Sequence, residues 1–316
     1  MGIAPAGTVF SFMAVSTSRL KFAIYDMRFS MCASQPGEFP AANEKSHIAN
    51  EKSHITLATE LEIILTGTGT SQGVPVIGCE CEVCTSADER DKRLRTAALI
   101  RYGDTRIAID CGPDFRQQML RSQTRRLDAI LITHEHNDHI IGMDDVRPFN
   151  FQNWTDMPVY CTPRVQQSLI QRFAYVFAAE NRYPGAPMVR LHAISKDEPF
   201  RVAGLEVQPV EAMHGRMPVL GFRIGQFAYL TDVRSIAPEE LEKVKGVRKL
   251  VISALHRREH HSHLNLQQAL ELIGQLGPER AYLTHISHRM GRHEEVQQEL
   301  PENVTLGYDG LKIACT

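Results

Sequence analysis

The segment Leu131–His139 reads LITHEHNDH and places three histidines and an aspartate within six positions, directly after an apolar run. Solvated loops seldom use histidine at that density. The run leading into it, LDAILITH, is apolar almost without interruption and reads as a strand buried on both faces. At its end His134 and His136 stand two apart, so the period-two alternation of a strand points them the same way. Asp138 and His139 follow after one residue, on the turn. Two clusters of nitrogen and oxygen ligands result, offset by one step of chain. Such a pair suits two metal ions held ~3.5–4 Å apart, as in hydrolytic sites. Imidazole and carboxylate donors favour Zn, Mn or Fe.

A two-metal site needs further ligands, and three segments offer them in matching contexts. His214 closes VEAMH, Asp232 closes FAYLTD and His285 closes AYLTH. Each is one ionisable residue at the tip of an apolar strand. Alone, each is a polar strand terminus; together with the first cluster they form a ligand set.

The segment GCECEVC adds Cys79, Cys81 and Cys84, a C-x-C-x-x-C pattern suited to one tetrahedral Zn. A closed structural site needs a fourth ligand, and His288, three residues after His285, is the candidate. The chain has seven cysteines, an odd number, three of them within six residues. That is the pattern of a metal site in a reducing compartment, the cytoplasm, rather than of a disulfide framework. Cys111 and Cys161 sit in or beside strands and read as buried free thiols.

The remaining composition excludes other classes. With 316 residues and 43% hydrophobic residues the chain has ample material for a core. A net charge of −2 argues against general nucleic-acid binding. No apolar run approaches the ~20 residues of a membrane helix. Residues 1–58 differ from the rest: they hold no secretory signal, and NEKSHIA NEKSHIT over residues 43–56 is a polar tandem heptad without a coiled-coil seam. This stretch is expected to be a disordered N-terminal extension, of the kind a misassigned translation start produces. Residues 59–316 are expected to form one catalytic domain.

Within it LEIILTG, AALIRYG and TRIAIDCG read as strands, followed by a helix over PDFRQQMLRS with Pro113 in its first turn. PRVQQSLIQRFAYVF reads as one amphipathic helix, and NLQQALELIGQLG as a helix capped by Asn265. Strand-rich segments with helices between them suggest two sheets with helices outside.

H-x-H-x-D-H, followed by a lone His, a lone Asp and a lone His at strand ends, resembles the metallo-β-lactamase superfamily over roughly residues 61–313. The resemblance implies a four-layer αββα sandwich. It also implies that His134, His136 and His214 hold one metal, that Asp138, His139 and His285 hold the other, and that Asp232 bridges them. A metal-bound hydroxide would be the nucleophile. LTGTGTSQGVPVIGCECEVC, with LTHISH late in the chain, resembles the PhnP-type branch. That branch comprises phosphodiesterases of cyclic ribose phosphates, named for 5-phosphoribosyl 1,2-cyclic phosphate. It implies two divalent ions, Zn or Mn, a separate structural Zn on three Cys and one His, a small phosphodiester substrate and a homodimer.

HRREHHSHLN precedes the Asn265 cap, and a histidine there is expected to protonate the leaving oxygen. His263 is favoured, with His261 second. Arg147, in MDDVRPFN, is a candidate phosphate clamp, with a plain surface arginine the alternative. Three rivals remain. One is a tRNase Z-like RNA endonuclease, although neither a protruding arm nor a basic excess is visible. Another is a thioester, lactone or β-lactam hydrolase of the same superfamily. The third is a non-catalytic zinc-stabilised binding protein.

Overall fold

Fourteen short strands alternate with helices in the computed structural model, which describes residues 60–180 and 183–315. The expected disordered extension over residues 1–58 lies outside the described residues. The first half contains β1 (Leu61–Gly67), β2 (Ala97–Tyr102), β3 (Thr105–Ile109), β4 (Ala129–Leu131), β5 (Met157–Cys161) and β6 (Val189–Ala193). The second contains β7 (Phe200–Val202), β8 (Leu205–His214), β9 (Met217–Ile224), β10 (Phe227–Leu230), β11 (Lys249–Ser253), β12 (Arg280–Thr284), β13 (Val304–Leu306) and β14 (Lys312–Cys315). The helices are α1 (Phe115–Arg121), α2 (Asn137–Ile140), α3 (Arg147–Asn153), α4 (Pro163–Arg172), α5 (Ala174–Phe177), α6 (Pro238–Glu242), α7 (Leu266–Leu276) and α8 (His293–Glu299).

The strands form two seven-stranded sheets, ordered β14-β1-β2-β3-β4-β5-β6 and β13-β12-β11-β10-β9-β8-β7. Each is antiparallel at one side and parallel at the other: β3 to β6 run parallel in the first, β10 to β13 in the second. The crossovers of the parallel halves place helices on the outer faces, as parallel pairing requires.

Alternation along the strands then builds three apolar layers. Ile63 and Leu65 of β1 turn inward, with Ile109 and Leu131, to meet Phe222, Tyr229 and Val251 of the facing sheet. Ile64, Leu99 and Ile130 turn outward under Phe115 and Met119 of α1 and Leu169 of α4. On the other side Leu230, Leu250 and Ile252 lie under Ala269 and Ile273 of α7 and Val296 of α8. The result is the four-layer αββα sandwich that the sequence led us to expect.

The asparagine cap is as expected: the Asn265 side chain accepts from Gln268 N, the Gln268 side chain accepts from Asn265 N, and Gly277 closes α7 in the left-handed conformation. Two local expectations fail. Pro113 is outside α1, which starts at Phe115: it lies in the turn closed by Phe115 N and the Gly112 carbonyl, with Asp114 at the N-cap position and its carboxylate bonded to Arg95. The single helix expected over PRVQQSLIQRFAYVF breaks at Phe173, where a non-helical ψ of 42° separates α4 from α5.

Candidate metal centre

The ligands arrive at one rim of the sandwich because each follows a strand that ends there. His134 comes three residues after β4, and His136 just precedes the single turn of α2, which carries Asp138 and His139. His214 is the last residue of β8, Asp232 lies two residues past β10 and His285 follows β12 directly. Asp232 and His285 have φ of 57° and 55°, in the left-handed region. Non-glycine residues enter that region at a cost, and such strain gathers at functional sites. Here it turns both side chains out of their strands and into the cluster.

The side chains meet as two groups. His134, His136 and His214 each bring a ligand atom within 4.8 Å of the others, and so do Asp138, His139 and His285. Asp232 lies between the groups, with Oδ2 3.3 Å from His139 Nε2 and Oδ1 3.1 Å from His285 Nε2. Asp138 Oδ2 is 3.3 Å from His139 Nε2. The Nε2 atoms of His139 and His285 are buried and have no hydrogen-bond partner. Buried polar atoms without partners are rare, and imidazole nitrogens converging on carboxylates are a cation's donor set. The residues present therefore fit two divalent ions.

Their tautomers are fixed from behind. Asp110 is fully buried, with φ of 67°, and its Oδ2 is 2.7 Å from His139 Nδ1. It also accepts from Thr133 N at 2.8 Å and from the Thr133 hydroxyl at 2.9 Å. With that hydroxyl donated to Asp110, its oxygen 3.0 Å from His134 Nδ1 must accept the ring proton. His214 Nδ1 lies 2.9 Å from the Ser262 carbonyl, which only accepts. In all three rings Nδ1 carries the proton and Nε2 faces the cluster, the usual arrangement behind a metal-ligating histidine. Gly112 lets this support approach, since a Cβ there would lie 1.9 Å from the Asp138 carbonyl oxygen.

The charges agree. Burial, and then His139, push the His134 imidazole well below its ordinary range; burial and His214 push His136 down. Burial opposes a charged His139, yet Asp110, Asp232 and Asp138 together lift it well above. Burial likewise opposes ionised Asp138 and Asp232, but the surrounding histidines hold both carboxylates below the usual range. The cluster is built around positive charge.

His263 is buried in this cluster, with its ring stacked on His285 at 4.8 Å and Nδ1 3.8 Å from Asp232 Oδ1. Burial, with His285 beside it, pushes its imidazole down to about 2. His261 is exposed and lines a cavity of 480 Å³ with His136, His214, Arg164 and Arg216. The two histidines that the sequence left as alternatives thus occupy different places, one inside and one at the mouth.

Arg147 is not brought to the mouth. Its guanidinium lies 2.5 Å from Asp144 Oδ2, and its Nε donates to the Asp144 carbonyl. The cations at the mouth are Arg164, paired with Glu135 at 3.1 Å, and Arg216, which forms no ion pair among the described residues. Asp110, Arg164 and Arg216 were missed in the sequence, although Arg216 stands two residues after His214 in MHGR.

Beside this centre the Sγ atoms of Cys79, Cys81 and Cys84 lie 3.3, 3.4 and 3.5 Å from His288 Nδ1. A tetrahedral Zn with Zn–S of ~2.3 Å and Zn–N of ~2.05 Å has an S–N edge of about 3.6 Å. The four donors fit that polyhedron. The Cys84 backbone N–H holds the Cys81 thiol down to about 6, whereas burial pushes Cys84 up to about 11.

Comparison with known proteins agrees with this picture. The model of the β-lactamase superfamily domain matches residues 105–286. An octanoyltransferase of Porphyromonas gingivalis is 46% identical over 254 residues, which are 80% of this chain and 51% of that protein. A ribonuclease Z of Bradyrhizobium diazoefficiens is 30% identical over 163 residues, 50% of this chain and 48% of that one. The chain thus spans about half the length of these curated relatives. Among solved structures, a diphosphatase of the PhnP family superposes with a TM-score of 0.76 at 36% identity, over 81% of this chain and 97% of that one. The chain belongs to the metallo-β-lactamase superfamily and to its PhnP branch. No helix among the described residues is long and apolar enough to cross a membrane.

Proposed function

We propose that the protein hydrolyses a phosphodiester, with a small cyclic ribose phosphate as the preferred class of substrate. The observation that carries this reading is the 480 Å³ cavity at His136 and His214, whose mouth holds Arg164 and Arg216. That volume accepts a nucleotide-sized group, and paired guanidiniums suit phosphate oxygens.

His134, His136 and His214 would hold one ion, Asp138, His139 and His285 the other, and Asp232 would bridge. When bound, two Zn or Mn ions neutralise phosphoryl oxygens and activate a water as nucleophile. The chain's own residues do the rest. Arg216 and Arg164 draw the anion in and fix its orientation. His263, walled in by Asp232, His214 and His285, gives a proton to the leaving oxygen once the anionic substrate lies beside it. A Zn on Cys79, Cys81, Cys84 and His288 would anchor the N-terminal loop of the domain three residues from the ligand His285.

The second reading is cleavage of a diphosphate, favoured by the similarity to the 36% identical diphosphatase of the PhnP family. The test is turnover by the full chain loaded with Mn or Zn. The panel holds an activated phosphodiester, cyclic ribose phosphates, a nucleoside diphosphate ester, a thioester and precursor tRNA. Metal-dependent hydrolysis of the cyclic phosphates, lost in Asp138→Ala, supports the proposal. A metal-loaded protein that turns over only the diphosphate, the thioester or the RNA refutes it in favour of that class.

A further inference from the structure

A second cavity, of 450 Å³, lies on the outer face of the first sheet beside α1, and shares no lining residue with the cavity at the metal centre. Its walls include Thr66 of β1, Arg101 of β2, Gln118 and Arg121 of α1, Asp309, and Lys312 of β14. Three of these carry a buried polar atom without a partner: Thr66 Oγ1, Arg101 Nε and Gln118 Oε1. Gln118 is 1% exposed and Thr66 5%, so neither side chain is satisfied by open solvent. Orphaned buried groups are rare in native proteins, and three around one cavity point to an occupant.

The polar groups define that occupant. Arg101 already gives Nη1 to Glu62 at 3.2 Å and Nη2 to the Ser122 carbonyl at 2.6 Å, leaving Nε as a positioned donor. Gln118 gives Nε2 to the Arg95 carbonyl at 2.8 Å, so Oε1 remains a fixed acceptor. Arg121 is half exposed, with Nη1 3.8 Å from Asp309, and Lys312 forms no ion pair among the described residues. Asp309 is occupied elsewhere: its Oδ1 accepts from Thr68 N and the Thr68 hydroxyl, and its Oδ2 accepts from Leu94 N. Lys312, Arg121 and Arg101, the last already paired with Glu62, line the cavity with the Thr66 hydroxyl, against the committed Asp309 carboxylate and one amide acceptor. An anion that also carries a hydroxyl satisfies both sets; a metal cation satisfies neither.

We propose that this cavity is a second ligand site, for a small phosphate monoester with a free hydroxyl. The phosphate lies against Lys312, Arg121 and Arg101 Nε, and the hydroxyl donates to Gln118 Oε1. Thr66 turns its hydroxyl to either part. Two cations from different strands and one from a helix favour the rounded, doubly charged phosphate over a flat carboxylate.

The experiment is calorimetric titration of the metal-loaded full chain with glycerol 3-phosphate, inorganic phosphate and glycerol. Expected are two equivalents of glycerol 3-phosphate, one at the metal centre and one here. Asp138→Ala removes the first. Arg121→Gln with Lys312→Gln weakens the second by about tenfold or more and leaves turnover of an activated phosphodiester unchanged. Thr66→Val, which keeps the shape and removes the hydroxyl, weakens the second site alone. Inorganic phosphate binds here less tightly, and glycerol does not bind. The proposal is overturned if the Arg121/Lys312 variant titrates as the wild type does, or if Asp138→Ala abolishes all binding. Equal affinity for inorganic phosphate overturns the monoester assignment.

Discussion

Oδ2 of Asp110 lies 2.7 Å from Nδ1 of His139, and both side chains are fully buried. That contact decides which nitrogen His139 presents to the metal centre, and through Thr133 it does the same for His134. Asp110→Asn is expected to weaken metal binding and turnover by roughly 10–100-fold, the usual cost of losing such support. Asparagine tolerates the left-handed backbone at this position, so the fold persists and the loss reports the carboxylate. Competition with a chelator measures it, with circular dichroism as the control. Unchanged affinity would mean that His139 is oriented by its backbone alone.

His263 and His261 separate by their response to the leaving group. If His263 donates the proton, His263→Asn loses ~10²-fold or more on an alkoxide leaving group and far less on p-nitrophenolate, which needs no proton. His261→Asn, at the mouth, shifts KM a few-fold on both. A loss for His263→Asn that is the same on both substrates would assign that residue to positioning.

The cysteine cluster makes a separable prediction. His288→Ala removes the nitrogen that all three sulfurs face, so metal analysis should find one Zn fewer per chain. The accompanying loss of zinc-linked stability should lower Tm, by roughly 2–4 °C for each kcal/mol lost in a domain of about this size. Unchanged zinc content would show that the cysteines hold the ion without it.

The residues that meet at the rim were legible because H-x-H-x-D-H is a dense run of donors and because His214, Asp232 and His285 close apolar strands, whose ends are easily read from periodicity. Asp110 was not. An aspartate after TRIAI looks like any turn residue, and its value lies in a contact 29 residues away. Arg147, left open between a phosphate clamp and a plain surface arginine, is near the ligands in sequence, but the turn that opens α3 ties it to Asp144. Strand and helix order suggested two sheets with helices outside, and the resemblance carried by the ligand motif supplied the four-layer sandwich. The break at Phe173 left no sequence signal, because the apolar period of PRVQQSLIQRFAYVF continues through it while the backbone does not.

His293 makes the acid limb of stability testable. It is 3% exposed at the start of α8, and its Nδ1 lies 3.3 Å from Arg93 Nη2, which only donates. Burial, and then Arg93, push the imidazole down to about 4, against ~6.5 in an unfolded chain. Between those values the unfolded chain binds the proton and the folded chain refuses it. Stability from this residue is therefore complete above pH ~6.5 and is lost as pH falls toward 4, by an amount on the order of 2 kcal/mol. His293→Gln has nothing to titrate, so its stability should fall less steeply across that window. Urea unfolding of both proteins between pH 4.5 and 7.5, in chelator so that metal release does not contribute, measures the difference. Parallel curves would show that the ring is protonated in the folded state and that Arg93 moves aside.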